Sequence, residues 1–112
     1  MLLLHRDRAA EEVRMPEQNM AALAAHMAFA AELRQSGAML GGDELQPASS
    51  ARTVHLNPPA PMISDGPFAE TREQLGGYYL IEARDMDEAV KWAAKVPAPG
   101  GSVEVRPIST YA

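Results

Sequence analysis

The chain opens on four apolar residues, Met1-Leu2-Leu3-Leu4, without alternation of apolar and polar positions. Such a run predicts a short strand covered on both faces. The polar stretch from His5 to Met15 reads as a loop. Pro16 suits the first helical position, where its missing N–H costs nothing, and Glu17 complements the helix dipole. From Glu17 to Ser36 the apolar residues recur at helical spacing. Met20, Leu23, Met27 and Ala30 make the stripe, and Phe29 and Leu33 widen it. Alanine raises helix propensity here, and Gly37 ends the helix. Met15 stands where an oxygen-bearing cap is usual, which predicts a less firm start.

Ala38 to Gly42 reads as a second strand whose glycines mark a bulge or a close backbone approach. Gln46 to Ala51 is a loop. Thr53-Val54-His55-Leu56 and Met62-Ile63-Ser64 flank Asn57-Pro58-Pro59-Ala60-Pro61, a turn that no central ladder tolerates, and so form a hairpin. After a polar segment that starts at Asp65, Tyr78 to Glu82 is a strand. Asp85 caps a helix from Met86 to about Lys95, with Glu88 placed as in a capping box. Met86, Ala89, Val90, Ala93 and Val96 form its inner face, with Trp92 at the margin, and Pro97 ends it. In the last strand, Ser102 to Pro107, Val103 and Val105 point one way and Glu104 and Arg106 the other.

The order is strand, helix, strand, hairpin, strand, helix, strand. It predicts an α+β fold of the ferredoxin-like βαββαβ plan with an extra β-hairpin. Two helices cover only one face of such a sheet, and a second copy of the chain is the simplest cover for the other.

With 112 residues the chain fits a single domain, 1–112. It has no cysteine, which excludes disulfides, thiolate zinc sites and cysteine nucleophiles. No apolar run approaches a membrane span, and no basic region leads into an apolar stretch with a cleavage site. A cytoplasmic protein is expected. Net charge is −5, with 10 basic residues scattered among 15 acids, which argues against direct nucleic-acid binding.

The most informative stretch joins a turn, a charged connector, a glycine pair and a strand start: Asp65-Gly66-Pro67-Phe68-Ala69-Glu70-Thr71-Arg72-Glu73-Gln74-Leu75-Gly76-Gly77-Tyr78-Tyr79. With Gly100-Gly101-Ser102-Val103-Glu104-Val105-Arg106-Pro107 and Gly42-Asp43-Glu44-Leu45-Gln46-Pro47, it resembles the YCII-related (YciI-like) family, specifically its DGPF branch, over nearly the whole chain. The resemblance implies a dimeric α/β barrel of ferredoxin-like protomers and a functional link to alternative sigma factors. Two features depart from the family pattern. The first strand begins a few residues late, and Met15-Pro16-Glu17-Gln18 stands where the family often has Ser-Pro-Glu-Glu.

Asp65-Gly66 is a turn dipeptide and Pro67 fixes the exit. Asp65 either bonds backbone N–H groups and shapes the loop or presents a carboxylate to a pocket. Phe68 reads as an anchor for the loop. His26 lies inside the apolar stripe and faces the sheet, either as a satisfied core histidine or as an acid–base group oriented by Asp65. His5 and His55 are expected to face solvent. The three histidines have no metal-ligand spacing and there is no Walker or Rossmann fingerprint, so no metal and no cofactor are expected. Glu104 and Arg106 form either an interfacial salt bridge or, with Tyr78, a clamp for an anion. Gly76-Gly77 permits a bulge or tight approach. Two functional expectations follow. One is a homodimer that binds a small polar or anionic ligand, with Gly66, Pro67, Phe68, Tyr78, Glu104 and Arg106 at the site. The other is a cofactor-independent isomerase, lyase or hydrolase using His26 and Asp65.

Overall fold

The computed structural model describes residues 1–12, 14–57 and 59–110, so Val13 of the expected first loop and Pro58 of the expected turn lie outside the described residues. Among the described residues six strands and three α-helices run in the order β1 (Leu2–Asp7), α1 (Arg8–Glu12), α2 (Pro16–Gln35), β2 (Met39–Glu44), β3 (Arg52–His55), β4 (Met62–Asp65), β5 (Glu73–Ile81), α3 (Met86–Ala93) and β6 (Ser102–Val105). Four strands form one antiparallel sheet in the order β2-β5-β1-β6, and β3 and β4 pair separately as the expected hairpin. The sheet is open, with β2 and β6 as its edges, so one chain makes no closed barrel.

Two elements are longer than the sequence pattern predicts. β1 continues past Leu4 to Asp7 because β5 starts at Glu73 rather than Tyr78 and gives it partners, with Asp7 opposite Glu73. The expected loop then holds α1. Asp7 Oδ1 accepts the Ala10 N–H at 3.1 Å, a local bond that starts a helical turn. Arg72 Nε donates to Asp7 Oδ2 at 2.9 Å, and this bond, with that from Ala10, holds the Asp7 carboxyl below its usual range.

α2 starts at Pro16 without a side-chain oxygen on Met15, as expected, but Gln18 Oε1 accepts the Met15 N–H at 2.8 Å. The helix ends where Gly37 takes φ +74° and Ala38 N–H reaches back to Leu33 O at 2.9 Å. Its inner face differs from the predicted stripe. Phe29, Ala30 and Leu33 are buried, whereas Met20, Leu23 and Met27 are 57–73% exposed. Twenty residues of helix span about 30 Å, while a six-residue strand spans only about 20 Å. The first turns of α2 are exposed, and its buried residues lie in the carboxy-terminal half.

The core joins Leu2 and Leu4 of β1, Tyr79 of β5, Phe29 and Leu33 of α2, and Ala38. Trp92, expected at the margin of α3, packs edge-on against Phe29, with ring centroids 6.2 Å apart, while Met86 and Val90 are exposed. Asp85 caps α3 by accepting the Glu88 N–H at 2.9 Å. Glu88 returns its bond to Arg84 N–H at 3.2 Å rather than to the cap residue. α2 and α3 thus share one face of the sheet. The opposite face carries Leu3, Tyr78, Leu80 and Glu104, none of them fully buried. The Cα envelope measures 48 × 46 × 18 Å, a slab two layers thick.

Candidate functional site

The polar segment after β4 is held at three points. Gly66 adopts φ +96°, which only glycine accommodates easily, and it is clamped against the hairpin base. Its N–H donates to Ala51 O at 2.8 Å, and its carbonyl accepts from Thr53 Oγ1 at 2.8 Å. Further on, Gln74 is buried, and its Nε2 donates to Ala69 O at 2.8 Å and to Thr71 O at 3.0 Å. This glutamine ties the loop to the sheet. Its side chain points to the helix face because of a bulge, Gly76 being the surplus residue between the pairs Leu4–Gly77 and His5–Leu75.

Between this segment, the hairpin and the open sheet face lies a groove of about 730 Å3. His5 and Leu75 lie at its floor, and Arg52, Val54, Pro67 and Phe68 are among its walls. His5 was expected to face solvent. It is half-buried instead, and its Nε2–H donates to Glu104 Oε1 at 3.3 Å. Glu104 also bonds Arg106, whose guanidinium, ahead of His5, holds the Glu104 carboxyl below its usual range. Arg106 is therefore engaged by a carboxylate of its own strand. Tyr78 donates to Asp43 Oδ2 at 2.9 Å, which pushes its own phenol pKa up, and it does not line the groove. Phe68 is 87% exposed, so within one chain it anchors nothing; Gln74, not the ring, holds the loop.

His26 and Asp65 are not joined by any hydrogen bond or ion pair among the described residues. Asp65 is exposed on β4 and faces Arg52 Nε at 3.6 Å. His26 Nδ1 lies 2.6 Å from the Tyr79 hydroxyl, a hydrogen bond in which the phenol donates when Nδ1 is unprotonated. The two rings stack at 5.9 Å. Burial is the main cause that lowers the His26 pKa, with the Arg6 charge adding to it, and burial raises that of Tyr79.

The neighbours of this pair carried no recognisable motif. Arg6 crosses β5 to meet Glu44 Oε1 at 3.2 Å and donates to Gly76 O at 3.2 Å on the way. A Cβ on Gly76 would stand 2.6 Å from Arg6 Nε, and one on Gly42 would stand 2.9 Å from Tyr79 Cδ1. Glycines inside strands were the available signal, and the close approach they permit is to side chains of this chain and, at Gly42, to the Tyr78 carbonyl as well. A second groove, about 750 Å3, lies between the end of α2 and α3 and contains none of the expected site residues. Two of its cations are engaged: Lys95 bonds Glu32 and sits 5.2 Å above the Trp92 ring, and Arg84 pairs with Glu88. Among the described residues no cluster of His, Asp or Glu could hold a metal ion. Among the described residues no helix is long and apolar enough to cross a membrane.

A family model described as the YCII-related domain matches residues 1–112. An uncharacterized protein of Rhizobium meliloti (strain 1021) is 41% identical over 70 residues, which is 60% of this chain and 56% of that protein. The matched part is thus little more than half of that relative's length.

Proposed function

Since the chain belongs to the YCII-related domain family, we propose that it is a binding protein of the DGPF branch, with a small-molecule site between the open sheet face and the Asp65–Leu75 segment. The strand order β2-β5-β1-β6 is that of a ferredoxin-like protomer, and two such protomers pair through their open faces into a dimeric α/β barrel. The observation that carries this reading is the groove itself: a segment clamped at Gly66 and Gln74 walls a cleft beside an unfilled sheet face. Its walls bear apolar groups, with Arg52 at one side in a loose, exposed pair with Asp65. The ligand that suits these walls has an apolar body and one anionic group that takes Arg52 from Asp65. The same reading sets the protein in the cytoplasm, with a functional link to an alternative sigma factor.

Thermal unfolding against a panel of aliphatic and aromatic carboxylates tests this. A true ligand at 100 times its Kd adds about 2.7 kcal/mol of stability. The shift should disappear in Arg52→Ala. A panel that leaves the midpoint unmoved removes the reading.

A second reading, a cofactor-independent acid–base enzyme, draws on the 2.6 Å contact between His26 and Tyr79. In it Tyr79 orients the imidazole, in the place expected of Asp65, which pairs with Arg52 instead. The pair has a pH signature whichever reading holds. The His26 pKa lies below its usual value of 6.5 because burial disfavours the charged ring. On acidification the unfolded chain takes up this proton before the folded one, so the unfolded state gains. The contribution of His26 to stability is complete above about pH 6.5 and is lost as pH falls toward the lowered value. The unfolding midpoint of the wild-type chain should therefore fall more steeply from pH 7.5 to 5 than that of His26→Gln. A wild-type chain that instead gains on the variant at low pH has a charged, not a neutral, folded imidazole.

A further inference from the structure

We propose that the β3–β4 hairpin is a docking arm for a second copy of this chain, folded in full only when that copy covers it. The inference rests on the two-copy reading above and names the surface that reading needs. Among the described residues, β3 and β4 make substantial contact only with each other. An isolated two-stranded hairpin is marginal in water, so this pair lacks the support that a stable strand pair needs.

Its side chains point to what supplies that support. Val54 stands directly opposite Ile63, so the two form one apolar ridge on one face of the arm. Val54, Leu56, Met62, Ile63 and Phe68 are 50–87% exposed. Met62, opposite His55, lies on the other face of the arm; the other four present on the order of 500 Å2 of surface, against about 800 Å2 per partner in a standard interface. The remainder lies next door. The groove that Val54 and Phe68 wall has His5 and Leu75 at its floor, so the arm continues into the open sheet face with Leu3, Tyr78 and Leu80.

Charge allows the same partner. Two chains of net charge −5 repel one another, but the ions at the base of the arm, Arg52 and Asp65, balance each other. The patch is therefore neutral at its base and apolar along its length. An isologous contact lets each copy bury its arm and sheet face on the other. In that arrangement the open side of the groove is closed by the partner, so the small-molecule site is complete only in the pair.

Sedimentation velocity with hydrogen–deuterium exchange of the full chain tests this. The wild-type chain should sediment as a dimer with slow exchange over residues 52–65. The double variant Val54→Asp/Ile63→Asp should sediment at the monomer mass of 12.1 kDa. Exchange over 52–65 should become fast in that variant, while β1 and β5 stay protected. Leu56→Asp, beyond the end of the strand, should weaken the dimer at least tenfold and leaves a check if the double variant misfolds. A dimer of unchanged affinity in both variants overturns the arm and leaves the two-copy reading standing. A wild-type monomer at every concentration overturns both.

Discussion

Leu33→Ala should lower stability by about 2–5 kcal/mol, because Leu33 is 0% exposed and its loss leaves a cavity between α2 and the sheet. Domains of this size have roughly 5–15 kcal/mol in total, so the variant should approach the edge of folding. Its melting temperature should fall by on the order of 10 °C or more. Met27→Ala, one and a half turns earlier on the same helix, should stay within about 0.5 kcal/mol, since Met27 is 63% exposed. The contrast discriminates between two orientations of α2. Equal losses at both positions would mean that the stripe Met20-Leu23-Met27 faces the sheet after all.

Gly42→Val should cost roughly 1–3 kcal/mol as overpacking. A side chain at Gly42 meets Tyr78 O and Tyr79 Cδ1, each at 2.9 Å. Neither can retreat cheaply: the carbonyl belongs to β5, which is paired with β2, and the ring is wedged edge-on to Phe29 at 5.1 Å. The strain falls on Tyr79 and so on its bond to His26. An NMR titration of the His26 ring should show its pKa move in the variant. Gly41→Ala is the control, because its Cβ would meet only Leu80 Cβ at 4.0 Å. Urea midpoints should separate the two substitutions clearly. If they are equally tolerated, Tyr79 is not held against β2.

Element types were legible in the sequence because each had a local cause. Pro16 opened a helix and Gly37 closed it, Pro59 and Pro61 stand in the connection between β3 and β4, and Asp85 capped α3. What local pattern cannot show is how far a neighbour reaches. β1 extends to Asp7 only because β5 begins at Glu73, and which part of the α2 stripe is buried is decided by packing, with Phe29, Ala30 and Leu33 covered and Met20, Leu23 and Met27 exposed. The groove segment was visible as rigid backbone in a polar stretch, and its clamps at Gly66 and Gln74 show what that rigidity does. The partner of His26 was not visible. Tyr79 lies 53 residues away and meets His26 through packing alone. Periodicity placed His26 on the sheet side but could not choose among the hydroxyls and carboxylates waiting there.

Gly76 sets the phase of everything before it in β5. Strands alternate faces strictly, so one surplus residue inverts the assignment of all those upstream. That inversion sends Gln74 inward to hold the loop and turns Leu75 outward to the groove floor. Were Gly76 instead paired opposite His5 in a regular ladder, Leu75 would turn inward and Gln74 outward, and the loop's fastener would change places with the groove's floor. The geometry of the whole Asp65–Leu75 segment is thus encoded less in its own side chains than in a single count along the strand that follows.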